Sequence, residues 1–428
     1  QCIKNDVHFY DEFQVVEVIM DGTRVAGLVT FELATGEIHI FRAKAVLFAT
    51  GGFGRMFSIT SNALANTGDG PAVLARAGIP LEDMEFFQFH PTGILGMGIL
   101  ITEGVRGEGG ILKNNEGERF MERYAPTMLD LAPRDMVSRA IITEIQEGRG
   151  MRGDRKINDY VMLDASHLGR DTVYKKIPDI ADFCKTYLDV DPAEEAMPVQ
   201  PTAHYAMGGI PTDVDGRVCT DDLVYEGLYA AGEAACVSVH GANRLGTNSL
   251  VDLVVYGRRA GRHVAEFVKG ADMPALPDGA GDHAREKIAK LKEAKGEHPG
   301  PLFEHMQEVM MEKVGVYRND EDMSQAVNEV QKLRERLQGV SVQDANSSFN
   351  QEVLSILELE NLLDLSLITA ASALNRTESR GAHSRKDYPD RDDPNWLKHT
   401  LAYLKDDEVT IDYKKVDTSI WEPKPRKY

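Results

Sequence analysis

The sequence predicts an α/β fold in which a sheet domain is interrupted by a separate block, then followed by a helical domain and a small C-terminal unit. Three observations lead there. Residues 7–48 alternate in strand fashion about the turns "DGTR" and "ATGE". Two apolar strands far apart in sequence run into glycines, one at Thr50-Gly51-Gly52 and one at Gly232-Glu233. Beyond a Pro/Gly-rich linker, "GADMPALPDGAGD", the chain reads as charged, amphipathic helix.

Taken in order, "FQVVEVIM", "VAGLVTFEL" and "IHIFR" form hairpin strands. The apolar strand Ala45 to Ala49 is expected to be buried on both faces, the arrangement that parallel sheets place beside a ligand. "NTGDGPAVLARAG" gives a helix with Asp69 as its cap and Gly78 ending it. Residues 85–198 are the interrupting block, rich in Gly, Arg and Glu, with a helix from about Asp135. "YEGLYAAGEAACVSVHG" returns to a buried strand. A helix then follows, with Asn248 and Ser249 as its capping residues and an apolar stripe at Leu250, Leu253, Val254, Gly257, Gly261, Val264 and Val268. The charged runs "REKIAKLKEAK" and "AVNEVQKLRERLQ" are solvated faces of a bundle, and the tail reads as a short helix and strands.

Composition narrows the function. The 428 residues, 42% of them hydrophobic, can bury a large core. Against 68 Asp and Glu stand 48 Lys and Arg, a formal charge of −20 that repels nucleic acid and anionic headgroups in the absence of a basic cluster. No nucleic-acid partner is expected. No apolar run approaches the roughly 18 to 20 residues of a membrane span, so membrane attachment would come through a partner. Cys2, Cys184, Cys219 and Cys236 show no C-x-x-C pairing. Neither a zinc site nor an iron-sulfur cluster is indicated, and a reducing compartment fits.

The polar residues gather in four places. "VHGANRLGTNSLVD" sets His240, Asn243, Arg244, Asn248 and Ser249 among glycines at the mouth of a helix, whose N-terminus suits an anion or developing negative charge. "FHPTGILGMGILITEGVRGEGG" supplies His90, Thr102, Glu103 and Arg106. "QPTAHYAMGGIPT" supplies His204, and "PRD" supplies Arg134, which could also be a helix-terminal residue paired with Asp135. Two histidines, two arginines and a threonine, with no nucleophilic Ser or Cys and no metal set, suit a small dicarboxylate: guanidinium pairs bidentately with carboxylate, and His and Thr complete the hydrogen bonds. None of these residues carries electrons, so a redox reading needs a cofactor.

"RAKAVLFATGG", "QFHPTG", "TEGVRGEGG", "GERFMERYAP", "PTAHYAMGGIPT", "GLYAAGEAACVSVHGANRLGTNSLVDLVVYGR" and "ESRGAHSRKDYPDRDDPNWLKHT" occur in that order. Over nearly its whole length the chain resembles the flavoprotein family of succinate dehydrogenase, fumarate reductase and L-aspartate oxidase. "MERYAP", Asp252 and the "RDDPNW..KHT" segment point to the succinate dehydrogenase branch.

The resemblance implies a Rossmann-like FAD-binding domain (1–84 and 199–270), an α+β capping domain (85–198), a helical domain (271–380) and a C-terminal unit (381–428). It implies that His90, Thr102, His204 and Arg244 bind succinate or fumarate, and that Arg134 transfers the proton with Glu103 and Arg106 as its relay. Arginine ordinarily titrates above 12, so such a base must be held near other cations and the substrate. Thr50, Gly51, Gly52, Asp69, Glu233, Asn248, Ser249 and Leu250 would contact FAD. An iron-sulfur subunit would take the electrons, with membrane anchors and quinone beyond it, at the cytoplasmic face of a bacterial inner membrane or the mitochondrial matrix side. Rival readings are fumarate reductase, then a soluble L-aspartate oxidase, then a non-catalytic scaffold subunit.

One departure from the family pattern is plain. The G-x-G-x-x-G turn that holds the FAD diphosphate is absent, as is the histidine context for covalent flavin, and the chain starts on Gln1. The sequence is therefore expected to lack the N-terminal part of the FAD domain and to bind FAD poorly. Stoichiometric flavin on a protein of intact mass 47.4 kDa would contradict this.

Overall fold

The computed structural model describes residues 1–424. β1 (Phe13–Asp21), β2 (Arg24–Glu32) and β3 (Ile38–Arg42) form the expected antiparallel meander. β4 (Val46–Phe48) leaves it and runs to Gly51 and Gly52. Burial on both faces does not occur: Leu47 is 38% exposed between buried Val46 and Phe48, so one face of this strand looks outward. α1 (Asp69–Arg76) follows, then β5 (Leu81–Glu82). Asp69 is the first helical residue and not the cap. Gly68 takes the capping position at φ +71°, where a Cβ would also lie 2.2 Å from Leu365, so glycine is required there on two counts.

The interrupting block consists of β6 (Phe87–Ile94), α2 (Glu103–Gly107), β7 (Ile111–Lys113), α3 (Met121–Tyr124), α4 (Arg134–Gln146), β8 (Val161–Asp164), α5 (Arg170–Lys176), α6 (Pro178–Leu188) and β9 (Met197–Ala206). Its strands make an antiparallel sheet in the order β6-β9-β8-β7. Apolar residues including Ile94, Val137, Ile141, Leu163 and Val199 close a cluster of their own beneath it. The hydroxyl of Ser138 donates to the Phe89 carbonyl at 3.1 Å, which pins α4 across β6.

β10 (Ile210–Pro211), β11 (Arg217–Cys219), β12 (Val224–Ala230) and β13 (Ala235–Cys236) bring the chain back. β12 pairs parallel with both β2 and β4, setting Leu228, Tyr229 and Ala230 beside Val46, Leu47 and Phe48. The two strands that end on glycines are thus neighbours, and their ends meet.

α7 (Asn248–Gly270) forms as expected but with a different cap. Its capping residue is Thr247, at φ +71° and with no side-chain cap; Asn248 and Ser249 already belong to the first turn. Its apolar stripe does not face a core: Leu250, Leu253 and Val254 are 61, 46 and 69% exposed, while Asp252 and Ala260 are buried. Periodicity establishes that a helix has an apolar face, not what that face meets.

α8 (Asp282–Glu293), α9 (Pro299–Lys313), α10 (Asp320–Leu337) and α11 (Gln351–Asn375) form the helical region. α12 (Asp393–Trp396), β14 (Lys398–Lys405) and β15 (Glu408–Lys415) complete the chain, with β14 pairing antiparallel to β5. One apolar cluster runs from Val46 and Phe48 through Phe87 to Leu302, Leu362 and Leu404, so the helices share a core with the sheet. Buried Arg376 ties the junction through Glu85 at 2.5 Å and Glu378 at 3.0 Å. Among the described residues no helix is long and apolar enough to cross a membrane.

Candidate active site

The site forms where β6 and β9 of the interrupting block meet the loop that precedes α7. The two strands are out of simple register: Gln88 pairs with Tyr205 and Phe89 with Ala203, which leaves His204 as an extra residue on β9. A bulge of this kind re-aims a side chain. The His204 ring stands edge-on to that of buried His90, centroids 5.5 Å apart, and its Nδ1 lies 2.8 Å from the Ser61 hydroxyl.

Three guanidiniums surround these rings. Arg134 opens α4, where the helix dipole disfavours a cation, so its position calls for compensation. Its Nε donates to Glu103 Oε1 at 2.6 Å and its Nη1 to Gln88 Oε1 at 3.2 Å. Its partner is Glu103, then, and not Asp135, which pairs with Arg139. Arg106, buried on α2, has its Nη2 3.6 Å from Glu103 and donates to the Asp130 carbonyl. Arg244 is buried with its guanidinium 4.3 Å above the Tyr205 ring and donates to Ser249 Oγ at 3.1 Å. Tyr205 is held in turn by His240 Nε2 at 3.2 Å and Asp252 at 3.4 Å. Gly246 brings this loop against the interrupting block: a Cβ there would lie 2.8 Å from Glu103 Oε2 and 3.4 Å from Arg134 Nη2.

The electrostatics follow from burial and from the cations. Desolvation, then the charges of Arg134, His204, Arg106 and Arg244, push His90 well below its ordinary value. Desolvation, Arg244 and Arg134 push His204 down to about 3. Both imidazoles are neutral at pH 7. Burial raises Glu103, but the hydrogen bond and charge of Arg134, with Arg106 and Arg244, outweigh it and hold the carboxyl below the usual range. Arg106 and Arg244 are both lowered, chiefly by burial. Glu103 faces Arg134 and Arg106 directly, Asp130 acts on Arg106 and Glu233 on Arg244, and the gathered guanidiniums make a setting suited to an anion. Arg106 Nε and Nη2 and Arg244 Nε are buried without a hydrogen-bond acceptor. Unpaired buried donors are costly, and an anion would satisfy them.

Depressed histidines make a pH prediction. In the unfolded chain each titrates near 6.5 and in the fold His204 titrates near 3. Between those values the unfolded state binds more protons, so stability falls as pH drops below about 6.5. Melting temperature is expected to decline from pH 7.5 to pH 5, and the decline should shrink by on the order of 2 °C in His204→Asn. An equal decline in the variant would show that His204 is not a source of it.

Of the expected residues, His90, His204, Glu103, Arg106, Arg134 and Arg244 share this one field. Thr102 is exposed, and its hydroxyl caps α2 by accepting from the Gly104 amide at 3.3 Å. The expected cofactor residues divide into two groups. Gly52 packs on Glu233, where a Cβ would fall 2.4 Å from Oε1, and Gly51 sits at φ +75°. Burial raises Glu233 to about 7. Thr50, Asn248 and Leu250 are exposed, and Ser249 accepts from Arg244. Asp69 opens the helix whose next residue, Gly70, packs on Thr50, and its carboxylate accepts from Asn361 at 2.7 Å and Thr67 at 3.0 Å. Sequence reasoning passed over Gln88, Ser61 and Tyr205. Gln88 had a signal: in "FQFH" it alternates with His90 between phenylalanines, so both face one side of the strand.

Comparisons with known proteins agree with this geometry. A family model described as FAD binding domain matches residues 1–250, and one described as fumarate reductase flavoprotein C-term matches residues 303–428. The succinate dehydrogenase flavoprotein subunit of Coxiella burnetii is 46% identical over 417 residues, covering 95% of this chain and 70% of that protein. The mitochondrial succinate dehydrogenase [ubiquinone] flavoprotein subunit of Oryza sativa subsp. japonica is 45% identical over 424 residues, covering 97% and 67%. Among solved structures, an E. coli quinol fumarate reductase superposes with a TM-score of 0.91 at 37% identity, covering 98% of this chain and 73% of that one. The mixed α/β architecture accords with these matches, and the chain belongs to the FAD-binding flavoprotein family that contains the flavoprotein subunits of succinate dehydrogenase and fumarate reductase.

Proposed function

We propose that this chain is the catalytic flavoprotein subunit of a succinate dehydrogenase, oxidising succinate to fumarate. The observation that carries the proposal is the gathering of Arg106, Arg134 and Arg244 around neutral His90 and His204, with buried guanidinium N–H groups lacking acceptors. A four-carbon dianion suits both the cations and the donors.

The residues fit FAD on one structural ground: Gly52 lets the end of the strand close on the Glu233 carboxyl, which a Cβ 2.4 Å from Oε1 would push away. Thr50, Gly51, Gly52, Glu233, Asn248, Ser249 and Leu250 would hold it, and Asp69, bonded to Asn361, would reach it only from the first turn of α1. When bound, FAD supplies the acceptor for two electrons. Arg244 and His204 grip one carboxylate, while His90 and Thr102 address the other. Arg134 hands its Nε proton to Glu103 as it takes one from the substrate methylene, so that it remains a guanidinium. The Glu103 side chain is 41% exposed, and Arg106 completes the relay.

The domain division given above belongs to the same proposal, with β9 (Met197–Ala206) carrying the sheet of the capping domain past residue 198. So do an iron-sulfur partner subunit, membrane anchors and quinone beyond it, and peripheral attachment at the cytoplasmic or matrix face. Fumarate reductase is the second reading, favoured by the quinol fumarate reductase likeness; it uses the same residues in the opposite direction. The test is purification with bound partners, followed by a visible spectrum and assays with succinate, fumarate and aspartate. For the protein purified from its source together with any residues that precede Gln1, a flavin band, a co-purifying iron-sulfur subunit and faster succinate oxidation than fumarate reduction are expected. Faster fumarate reduction selects the second reading, and aspartate oxidation without a partner selects an L-aspartate oxidase. A colourless, inactive complex selects a scaffold role. Gly52→Ala should lower flavin content at least several-fold by placing a methyl group against Glu233; unchanged flavin absorbance per protein would remove Gly52 from the cradle.

A further inference from the structure

The loop that carries Arg244 also carries Asn243, an amide to which the function proposed above gives no task. Asn243 Nδ2 donates to Asp135 Oδ1 at 2.8 Å, and its Oδ1 accepts from Gln88 Nε2 at 2.8 Å. Gln88, fully buried, donates again to the Arg244 carbonyl at 2.7 Å and accepts from Arg134 Nη1 at 3.2 Å. Asp135 follows Arg134 on α4, and its second oxygen accepts from Arg139 at 3.0 Å. From the far side, Arg139 Nη1 donates to the Gly381 carbonyl at 3.2 Å, and the Ala382 amide donates to the Ala242 carbonyl at 2.8 Å.

Strand β6, helix α4 and the loop before α7 are distant in sequence, and they meet at this one side chain. The amide serves both neighbours because it donates and accepts from one planar group. A carboxylate could not donate to Asp135, and an apolar side chain could do neither. Arg134 and Arg244 stand on different elements, so the position of one relative to the other is only as good as the cross-links between them.

We propose that Asn243 is a positioning residue that locks Arg134 in register with Arg244, so that a dicarboxylate held by the second presents its methylene to the first. The inference rests on the dicarboxylate reading above. It has energetic weight because a misplacement of about 1 Å at a reacting pair costs about 100-fold in rate.

The test uses the flavin-loaded complex with its partner subunits. In Asn243→Asp, a carboxylate faces Asp135 Oδ1 and the donor is lost. Expected results are a kcat lower by about 10- to 100-fold, a KM within about threefold, and a larger deuterium isotope effect on oxidation of perdeuterated succinate, because the chemical step becomes limiting. Merely losing folded enzyme would lower kcat and leave the isotope effect where it was. The double variant Asp135→Asn/Asn243→Asp exchanges donor and acceptor, lets every bond named above form again, and should recover most of kcat together with the wild-type isotope effect. Should Asn243→Asp not fold, Asn243→Ala is read by the same isotope effect. Wild-type kcat and isotope effect in the single variant, or no recovery in the double variant, overturns the lock alone. A wild-type complex that turns over neither succinate nor fumarate overturns the proposed function, and this inference with it.

Discussion

Arg134→Ala is expected to lower succinate turnover by about 1,000-fold or more while dicarboxylate affinity changes by less than about threefold. The side chain donates to Glu103 at 2.6 Å and to Gln88 at 3.2 Å, so it is aimed by its partners and leads directly to the exposed carboxylate of the relay. Removing it leaves Arg244, His90 and His204 to bind the substrate and takes away the group that accepts its proton. Arg134→Lys should fare little better, because one ammonium cannot reproduce the Nε and Nη1 bonds that fix the guanidinium plane. Steady-state kinetics with a calorimetric titration of fumarate separates the two effects. Turnover retained within tenfold in either variant would exclude Arg134 as the proton-transferring residue.

Arg244→Ala should act on affinity instead, weakening dicarboxylate binding by about 2 to 5 kcal/mol, or roughly 30-fold to several thousand-fold in Kd. Its guanidinium is buried, stacked at 4.3 Å on Tyr205, and keeps one N–H without an acceptor. A carboxylate meeting it there is largely removed from water, the condition under which a charge pair contributes most. The measurement is Kd by calorimetry and KM by kinetics, with kcat at saturating succinate staying within about tenfold. An unchanged Kd would mean that Arg244 belongs to the framework of the loop and not to the binding set.

The contrast between the two arginines shows what a linear reading can and cannot reach. Arg244 could be singled out because glycines, amides and a following helix surround it within a few residues. Arg134 stood in a short "PRD" with an obvious local partner in Asp135. The fold gave Asp135 to Arg139 and Arg134 to Glu103, which is 31 residues away. Gln88 was legible in the alternation of β6, yet its two partners, Asn243 and the Arg244 carbonyl, lie some 155 residues on. His204 stood four residues before a glycine pair in sequence; that it points into the site comes from the extra residue it forms on β9, a property of strand pairing.

Local chemistry was decided by the sequence alone: the hairpins of the meander, the strands ending on glycines, the apolar faces of the helices, and the kinds of side chain able to hold a dicarboxylate. These depend on periodicities of two and 3.6 residues and on turn residues, all of which are short-range. Tertiary structure decided which groups pair. It placed β4 beside β12 so that Gly52 meets Glu233, and turned the apolar stripe of α7 outward at Leu250 and Val254. It gave Asp69 to Asn361 and gathered three arginines around one carboxylate. The physical reason is that burial and Coulomb energy depend on distance in space, and distance in space between residues far apart along a chain is set only when the strands pair and the core closes.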